Sequence, residues 1–204
     1  GNKVAVLRGD GAGSFQKVGG FEDQENAALL HAADLDGDST MDLVLLSSDG
    51  LLAVRKGMGD GTFKKTQDYS LASFVHSLVH ADLNGDGTRD LAVSIEADSS
   101  VATDSINWIA GNPDGSFQAA RRIAGSGTIL EAFASDANRD GIEDVLLAGV
   151  SSVGILQGGD GTLHLTRFNP GMESPYSTAF GDFNNDQRLD IALAFRYRPG
   201  ADHP

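Results

Sequence analysis

Asp82–Asp90 reads DLNGDGTRD, and the same nine-residue phrase returns at Asp34 (DLDGDSTMD), Asp136 (DANRDGIED) and Asp182 (DFNNDQRLD). Positions 1, 3, 5 and 9 are Asp or Asn in every copy. Carboxylate and amide oxygens at that spacing suit a hard cation that takes about six to eight oxygens, as Ca²⁺ does. Copies 48, 54 and 46 residues apart mark a repeat architecture.

A second phrase keeps step with the first. It is a glycine-rich turn closing on Ser or Thr and a large apolar residue: GDGAGSF ending at Phe15, GMGDGTF at Phe63, GNPDGSF at Phe117 and QGGDGTL at Leu163. From each of these apolar residues to the next Asp phrase is 19 residues. The reverse intervals, from Asp phrase to Gly turn, are 29, 35 and 27. The extra length of the middle unit falls at Ala97–Ser105, whose Ser, Asp and Thr content predicts a longer hairpin loop.

Short apolar runs bounded by Gly, Asp and Asn clusters are strand signals, and no segment sustains a helical period. Each unit divides into four strands. The first enters the Asp phrase (Leu29–Ala33, Ser77–Ala81, Leu130–Ser135, Tyr176–Gly181). The second leaves it (Leu43–Leu46, Leu91–Ile95, Val145–Ala148, Ile191–Phe195). The third precedes the Gly turn (Val4–Leu7, Leu52–Arg55, Ile106–Ala110, Val153–Gln157), and the fourth starts at its closing apolar residue. Four antiparallel strands repeated radially make a propeller blade, so the expected fold is an all-β β-propeller in one domain spanning 1–204. The repeats run over about 24–70, 71–124 and 125–170. Segment 171–204 offers a first and second strand and segment 1–23 a third and fourth. The expectation is one split blade closing a four-bladed ring; the alternative is a piece of a larger ring.

Four Asp phrases in register with four Gly turns resemble FG-GAP/VCBS repeats, the blades of integrin-α-type propellers, where rings of about seven blades are common. The resemblance implies a structural Ca²⁺ in the hairpin between the first and second strand of each blade. Its ligands would be side chains 1, 3, 5 and 9 and carbonyl 7. The sites so implied are Asp34, Asp36, Asp38, Asp42 with the Thr40 carbonyl; Asp82, Asn84, Asp86, Asp90 with Thr88; Asp136, Asn138, Asp140, Asp144 with Ile142; and Asp182, Asn184, Asp186, Asp190 with Arg188. Position 6 is Gly87 and Gly141 in two loops but Ser39 and Gln187 in the others. An EF-hand would need Glu at position 12, where Leu45, Val93, Leu147 and Leu193 stand inside apolar strands. A metal-free Asp-rich turn is the bland alternative, but it would gather mutually repelling carboxylates four times over.

Composition fits this reading. The 204 residues are 40% hydrophobic, enough for a real core, and 26 are Gly, as many tight turns require. The formal charge is −14, and 13 of the 29 acidic residues are Asp at positions 1, 3, 5 and 9 of the four phrases. Four calcium ions would bring the charge to about −6. There is no basic stripe for nucleic acid, no apolar run long enough for a transmembrane helix, and no Cys. Weak calcium sites fill outside the cytoplasm, so an extracellular, cell-surface or periplasmic location is expected. The start at Gly1 without Met fits a removed leader or a trimmed terminus.

Other candidates are weaker. Arg8-Gly9-Asp10 spells an integrin-recognition tripeptide but occupies the Gly-turn register of Lys56-Gly57-Met58. The five His share no repeat position and read as isolated. The lone Trp108, aligned with Val6, Val54 and Gly154, reads as packing rather than a sugar platform. Phe15, Phe63 and Phe117 read as core. No GxSxG elbow or singled-out carboxylate pair points to an enzyme. The expected function is a calcium-stabilised protein-interaction or surface-assembly module, with Ala97–Ser105 as candidate contact. A lectin is the alternative, and a polysaccharide-degrading enzyme is less favoured. The partner is an unknown protein or glycan.

Overall fold

The computed structural model describes residues 2–23, 27–47, 49–71, 75–95, 105–125, 129–149, 153–159, 163–168 and 175–195. Among these there are sixteen strands and no helix. The N-terminal hairpin is β1 (Asn2–Gly9) and β2 (Phe15–Asp23). Three four-stranded antiparallel meanders follow. The first is β3 (Ala27–Ala33), β4 (Asp42–Ser47), β5 (Leu51–Gly57) and β6 (Phe63–Ser70). The second is β7 (Val75–Ala81), β8 (Asp90–Ile95), β9 (Ser105–Ile109) and β10 (Arg121–Gly125). The third is β11 (Ile129–Ser135), β12 (Asp144–Gly149), β13 (Val153–Gln157) and β14 (His164–Phe168). A last hairpin is β15 (Pro175–Gly181) and β16 (Asp190–Phe195). These are propeller blades, and each Asp phrase spans the turn between a first and a second strand. Strand ends fall close to the expected ones. The fourth strand of the second blade differs: Phe117 makes only an isolated bridge to Gly111, and β10 starts at Arg121.

The apolar pattern explains the stacking. Side chains alternate across a strand, so a strand apolar on both faces serves two neighbours. In β8, Leu91, Val93 and Ile95 join a core with Val44, Leu46, Leu52 and Val54 of the first blade. Ala92, facing the other way, joins one with Val145, Leu147 and Leu156 of the third. Aromatic contacts recur along the same joints. Phe21 meets Phe63 with ring centroids 5.9 Å apart, and Tyr69 meets Phe117 at 6.1 Å, both edge-on. Each pairs a residue six beyond one Gly-turn aromatic with the next Gly-turn aromatic. On the first strands, His31 meets His80 and Phe133 meets Phe180, at 4.5 and 5.3 Å. The blades therefore stack in chain order, with their first strands side by side.

The expected closure is corrected. β1–β2 and β15–β16 are separate two-stranded sheets, not halves of one blade. No ladder joins them among the described residues, because each hairpin stacks on its own chain neighbour and the arc stays open. Phe15 is corrected with it: it is 71% exposed, whereas Phe117 is buried. Trp108 is buried in the second core, as expected. Its register equivalent is Ile155 rather than Gly154, since Trp108 pairs with Ala92 and Ile155 with Leu146. The 97–104 part of the long loop lies outside the described residues.

One glycine position is fixed by packing. A Cβ on Gly57, Gly111 or Gly158 would run into the backbone carbonyl at position 8 of its own blade's Asp loop, that of Met41, Arg89 or Glu143. Gly111→Ala should therefore destabilise the chain by about 1–3 kcal/mol in urea unfolding. An unchanged midpoint would refute the tight approach.

Candidate metal centre

All four Asp loops have one backbone plan. The position-1 carboxylate accepts from the position-6 N–H: Ser39 to Asp34 at 2.9 Å, Gly87 to Asp82 at 2.9 Å, Gly141 to Asp136 at 3.0 Å, and Gln187 to Asp182 at 2.6 Å. Side chain 3 (Asp36, Asn84, Asn138, Asn184) accepts from N–H 5. Carboxylate 5 (Asp38, Asp86, Asp140, Asp186) accepts from N–H 7, that of Thr40, Thr88, Ile142 or Arg188. These bonds curl the chain around the acidic side chains. The curl puts positions 4 and 6 in left-handed backbone, even where position 6 is Ser39 (φ 67°) or Gln187 (φ 66°). Loops without Gly at position 6 thus form the same turn, at the expense of a conformation that L-residues resist.

Position 9 has a separate task. Asp42, Asp90 and Asp144 are buried, and each carboxylate bridges two backbone donors. One oxygen accepts from position 2: Leu35 at 3.1 Å, Leu83 at 3.2 Å and Ala137 at 2.9 Å. The other accepts from the Gly-turn N–H of Gly57, Gly111 or Gly158, 2.8 Å in each case. The Asp loop and Gly turn are thereby locked together. Asp190 makes only the first bond, from Phe183 at 3.0 Å, among the described residues. Burial pushes the Asp42 and Asp90 carboxyls above their ordinary range. The Gly57 and Gly111 N–H bonds pull back, while Asp36 and Asp38 push Asp42 further up.

The first loop meets a test for a cation. Oxygens of Asp34, Asp36 and Asp42 lie within 4.8 Å of one another. Oxygens about 2.3–2.6 Å from one Ca²⁺ can be no more than about 5 Å apart, so the cluster is the right size. Asp34 Oδ1 is also buried with no hydrogen-bond partner. A buried carboxylate oxygen left unbonded is costly unless a cation or water meets it. In the other loops position 3 is Asn, whose amide oxygen takes the carboxylate's place in the turn.

Sequence reasoning missed four features. Lys56 bridges Asp36 and Asp38, the latter at 3.2 Å, and the two carboxylates hold its ammonium above its ordinary value. The second and third loops are joined through Glu143, which accepts from the Asp82 N–H at 2.9 Å and pairs with Arg89. An open cleft of about 480 Å³ lies between the first and second loops, lined by Asp34, Asp36, Asp86, Arg89 and Pro113 among others. His31 Nε2 and His80 Nδ1 face each other across the first blade joint, so these two histidines are not isolated. Burial lowers both their pKa values. Lys56 and the His pair leave no trace in repeat spacing, because neither recurs. Arg8 and Gly9 end β1 and Asp10 opens the glycine-rich turn, where its Oδ1 accepts from Ala12 and Ser14 at 2.7 and 3.0 Å.

A family model described as FG-GAP-like repeat matches the chain three times, over residues 34–93, 82–147 and 136–193. Each match runs from one Asp phrase to just beyond the next, so together they cover all four loops and more than half of the chain. No curated protein matches. With the blades, the loop geometry and these matches together, the chain belongs to the FG-GAP-like repeat family.

Proposed function

We propose that this chain is a calcium-stabilised, extracellular β-propeller module that works as a non-enzymatic interaction or assembly scaffold. The observation that carries the metal reading is the unbonded, buried Asp34 Oδ1 within the Asp34, Asp36 and Asp42 cluster. The ion there would be held by Asp34, Asp36, Asp38, Asp42 and the Thr40 carbonyl. The corresponding residues of the second, third and fourth loops, which share its backbone plan, would hold the others. Calcium would neutralise carboxylates that the turn gathers, of which Asp42 and Asp90 are already disfavoured as anions by burial. Its role would be to hold the loop face rigid for a partner. The all-oxygen donor set is what Ca²⁺ prefers, and weak sites of this kind fill at extracellular calcium.

The open cleft lined by Asp34, Asp36, Asp86 and Arg89 lies on that face and is the contact we favour for a protein partner. The lectin reading loses the lone Trp as a sugar platform, because Trp108 is buried between blades. Calorimetric calcium titration tests the proposal directly. Heat from several sites, reduced in Asp34→Ala and again in Asp82→Ala, is expected; no heat in the parent chain would sink it. Lys56 competes with the ion for Asp36 and Asp38. Lys56→Ala should therefore tighten calcium binding at the first loop several-fold, and an unchanged isotherm would show that the ammonium does not compete.

A further inference from the structure

We propose that His31 and His80 are the two protein ligands of a transition-metal site, of the kind Zn²⁺ occupies, at the joint between the first and second blades. His31 lies on β3 and His80 on β7, the first strands of two complete four-stranded blades. Nε2 of His31 and Nδ1 of His80 point at each other within hydrogen-bonding reach, and both side chains are partly buried. The ring centroids are 4.5 Å apart and the planes cross at 62°. Imidazole nitrogen suits zinc and its neighbours in the first transition row. Two such nitrogens converging from adjacent strands are held in place by the stacking of the blades.

The repeat shows that stacking alone does not require these residues. His31 stands three before Asp34, and His80 two before Asp82. Phe133 and Phe180 stand at the same places before Asp136 and Asp182, and their rings meet edge-on with centroids 5.3 Å apart. Val79 and Ala134 hold these places at the joint between. Apolar side chains therefore serve at the other two joints. At the first joint two imidazoles replace them and turn ring nitrogens toward one another.

Metal ligation needs the neutral ring, and burial favours it by lowering the pKa of both histidines. Two neutral imidazoles joined by a hydrogen bond hold one proton between the facing nitrogens. The ion takes that proton's place. The proton passes, by exchange with water, to the other nitrogen of its own ring, so both rings stay neutral. Zinc–nitrogen bonds of about 2.0–2.1 Å at a tetrahedral angle set the two nitrogens about 3.3 Å apart, a separation that small side-chain rotations reach. Among the described residues no third His, Asp or Glu forms a ligand cluster with the pair, so water fills the remaining positions. Arg89 and Glu143 both act on His80, and as an ion pair they set no net charge against the cation.

Long-range nitrogen–proton NMR spectra of the imidazoles read the site directly, in the full chain with calcium in excess. Added Zn²⁺ should shift the His31 Nε2 and His80 Nδ1 resonances together, with one midpoint, and leave His76 and His164 in place at that concentration. His31→Ala or His80→Ala should weaken binding at the remaining histidine by about tenfold or more, since zinc sites are built from several ligands. The double variant His31→Phe/His80→Phe restores the ring contact that Phe133 and Phe180 make, so it should keep the circular dichroism spectrum and lose the zinc-binding heat of the parent chain. Zinc entering the Asp loops would give heat without moving the imidazole nitrogens, so failure of the calcium reading and failure of this site are told apart. The proposal is overturned by no shift of the pair up to millimolar zinc, by separate midpoints for the two rings, or by an unchanged midpoint for the remaining histidine in either Ala variant.

Discussion

Asp90→Ala should be among the most damaging single substitutions in the chain, costing about 2–4 kcal/mol by the desolvation of two orphaned donors. Asp90 is fully buried, and its two oxygens take the N–H groups of Leu83 and Gly111. Both donors lie where water cannot easily replace the carboxylate. At about 2–4 °C per kcal/mol for a chain of this size, melting should fall by roughly 5–15 °C. Part of the loss would come from any calcium at the second loop, so the comparison belongs in both calcium and chelator. The hydrogen-bond part remains in chelator. Asp190→Ala is the control, because it removes one bond at a more exposed position and should cost about 1 kcal/mol or less. Equal losses in chelator for Asp90→Ala and Asp190→Ala would show that the Gly-turn bond contributes nothing.

That bond also shows what a sequence can and cannot disclose. The Asp phrase announces itself because its ligand types recur at fixed positions, and strand runs flanking it are apolar on both faces, as in Leu91–Ile95. The constant 19-residue interval is equally legible: it is the fourth strand, a short link and the next first strand, with no room to vary. The donor to the position-9 Asp is hidden, since it lies 15, 21 and 14 residues further along in the three blades. The intervening strand-two to strand-three connection changes length while the contact does not. Pattern matching at fixed spacing therefore gave position 9 one role, as a ligand, and missed its role as a clasp. Phe15 failed for the opposite reason. Its register is right, but Phe63 and Phe117 each meet a ring of the preceding unit, Phe21 and Tyr69, and among the described residues no such ring meets Phe15. His31 and His80 occupy different repeat positions, and only the stacking of adjacent first strands brings them together.

Chelation should produce the second large effect. If each site binds calcium near 10⁻⁴ M and sees about 1 mM, it adds roughly 1.4 kcal/mol to stability. Four such sites add about 6 kcal/mol, comparable with the whole net stability of many domains. The loops give a reason to expect coupling to global unfolding rather than local fraying. Each is a hairpin between a first and a second strand, and in the first three the position-9 Asp ties it to the Gly turn. Releasing the ion leaves Asp34, Asp36 and Asp42 facing one another at short range, relieved in the first loop only by Lys56. The second and third loops have the uncharged Ala110 and Gln157 at the Lys56 position. Scanning calorimetry with EDTA should therefore show melting lowered by well over ten degrees, restored by excess calcium and only weakly by magnesium, which demands tighter octahedral geometry. Lys56→Ala should deepen the loss in EDTA while sparing the calcium form, since it removes the stand-in charge and leaves the ion's ligands intact. Identical melting with and without chelator would mean that the four loops are held by their backbone hydrogen bonds alone.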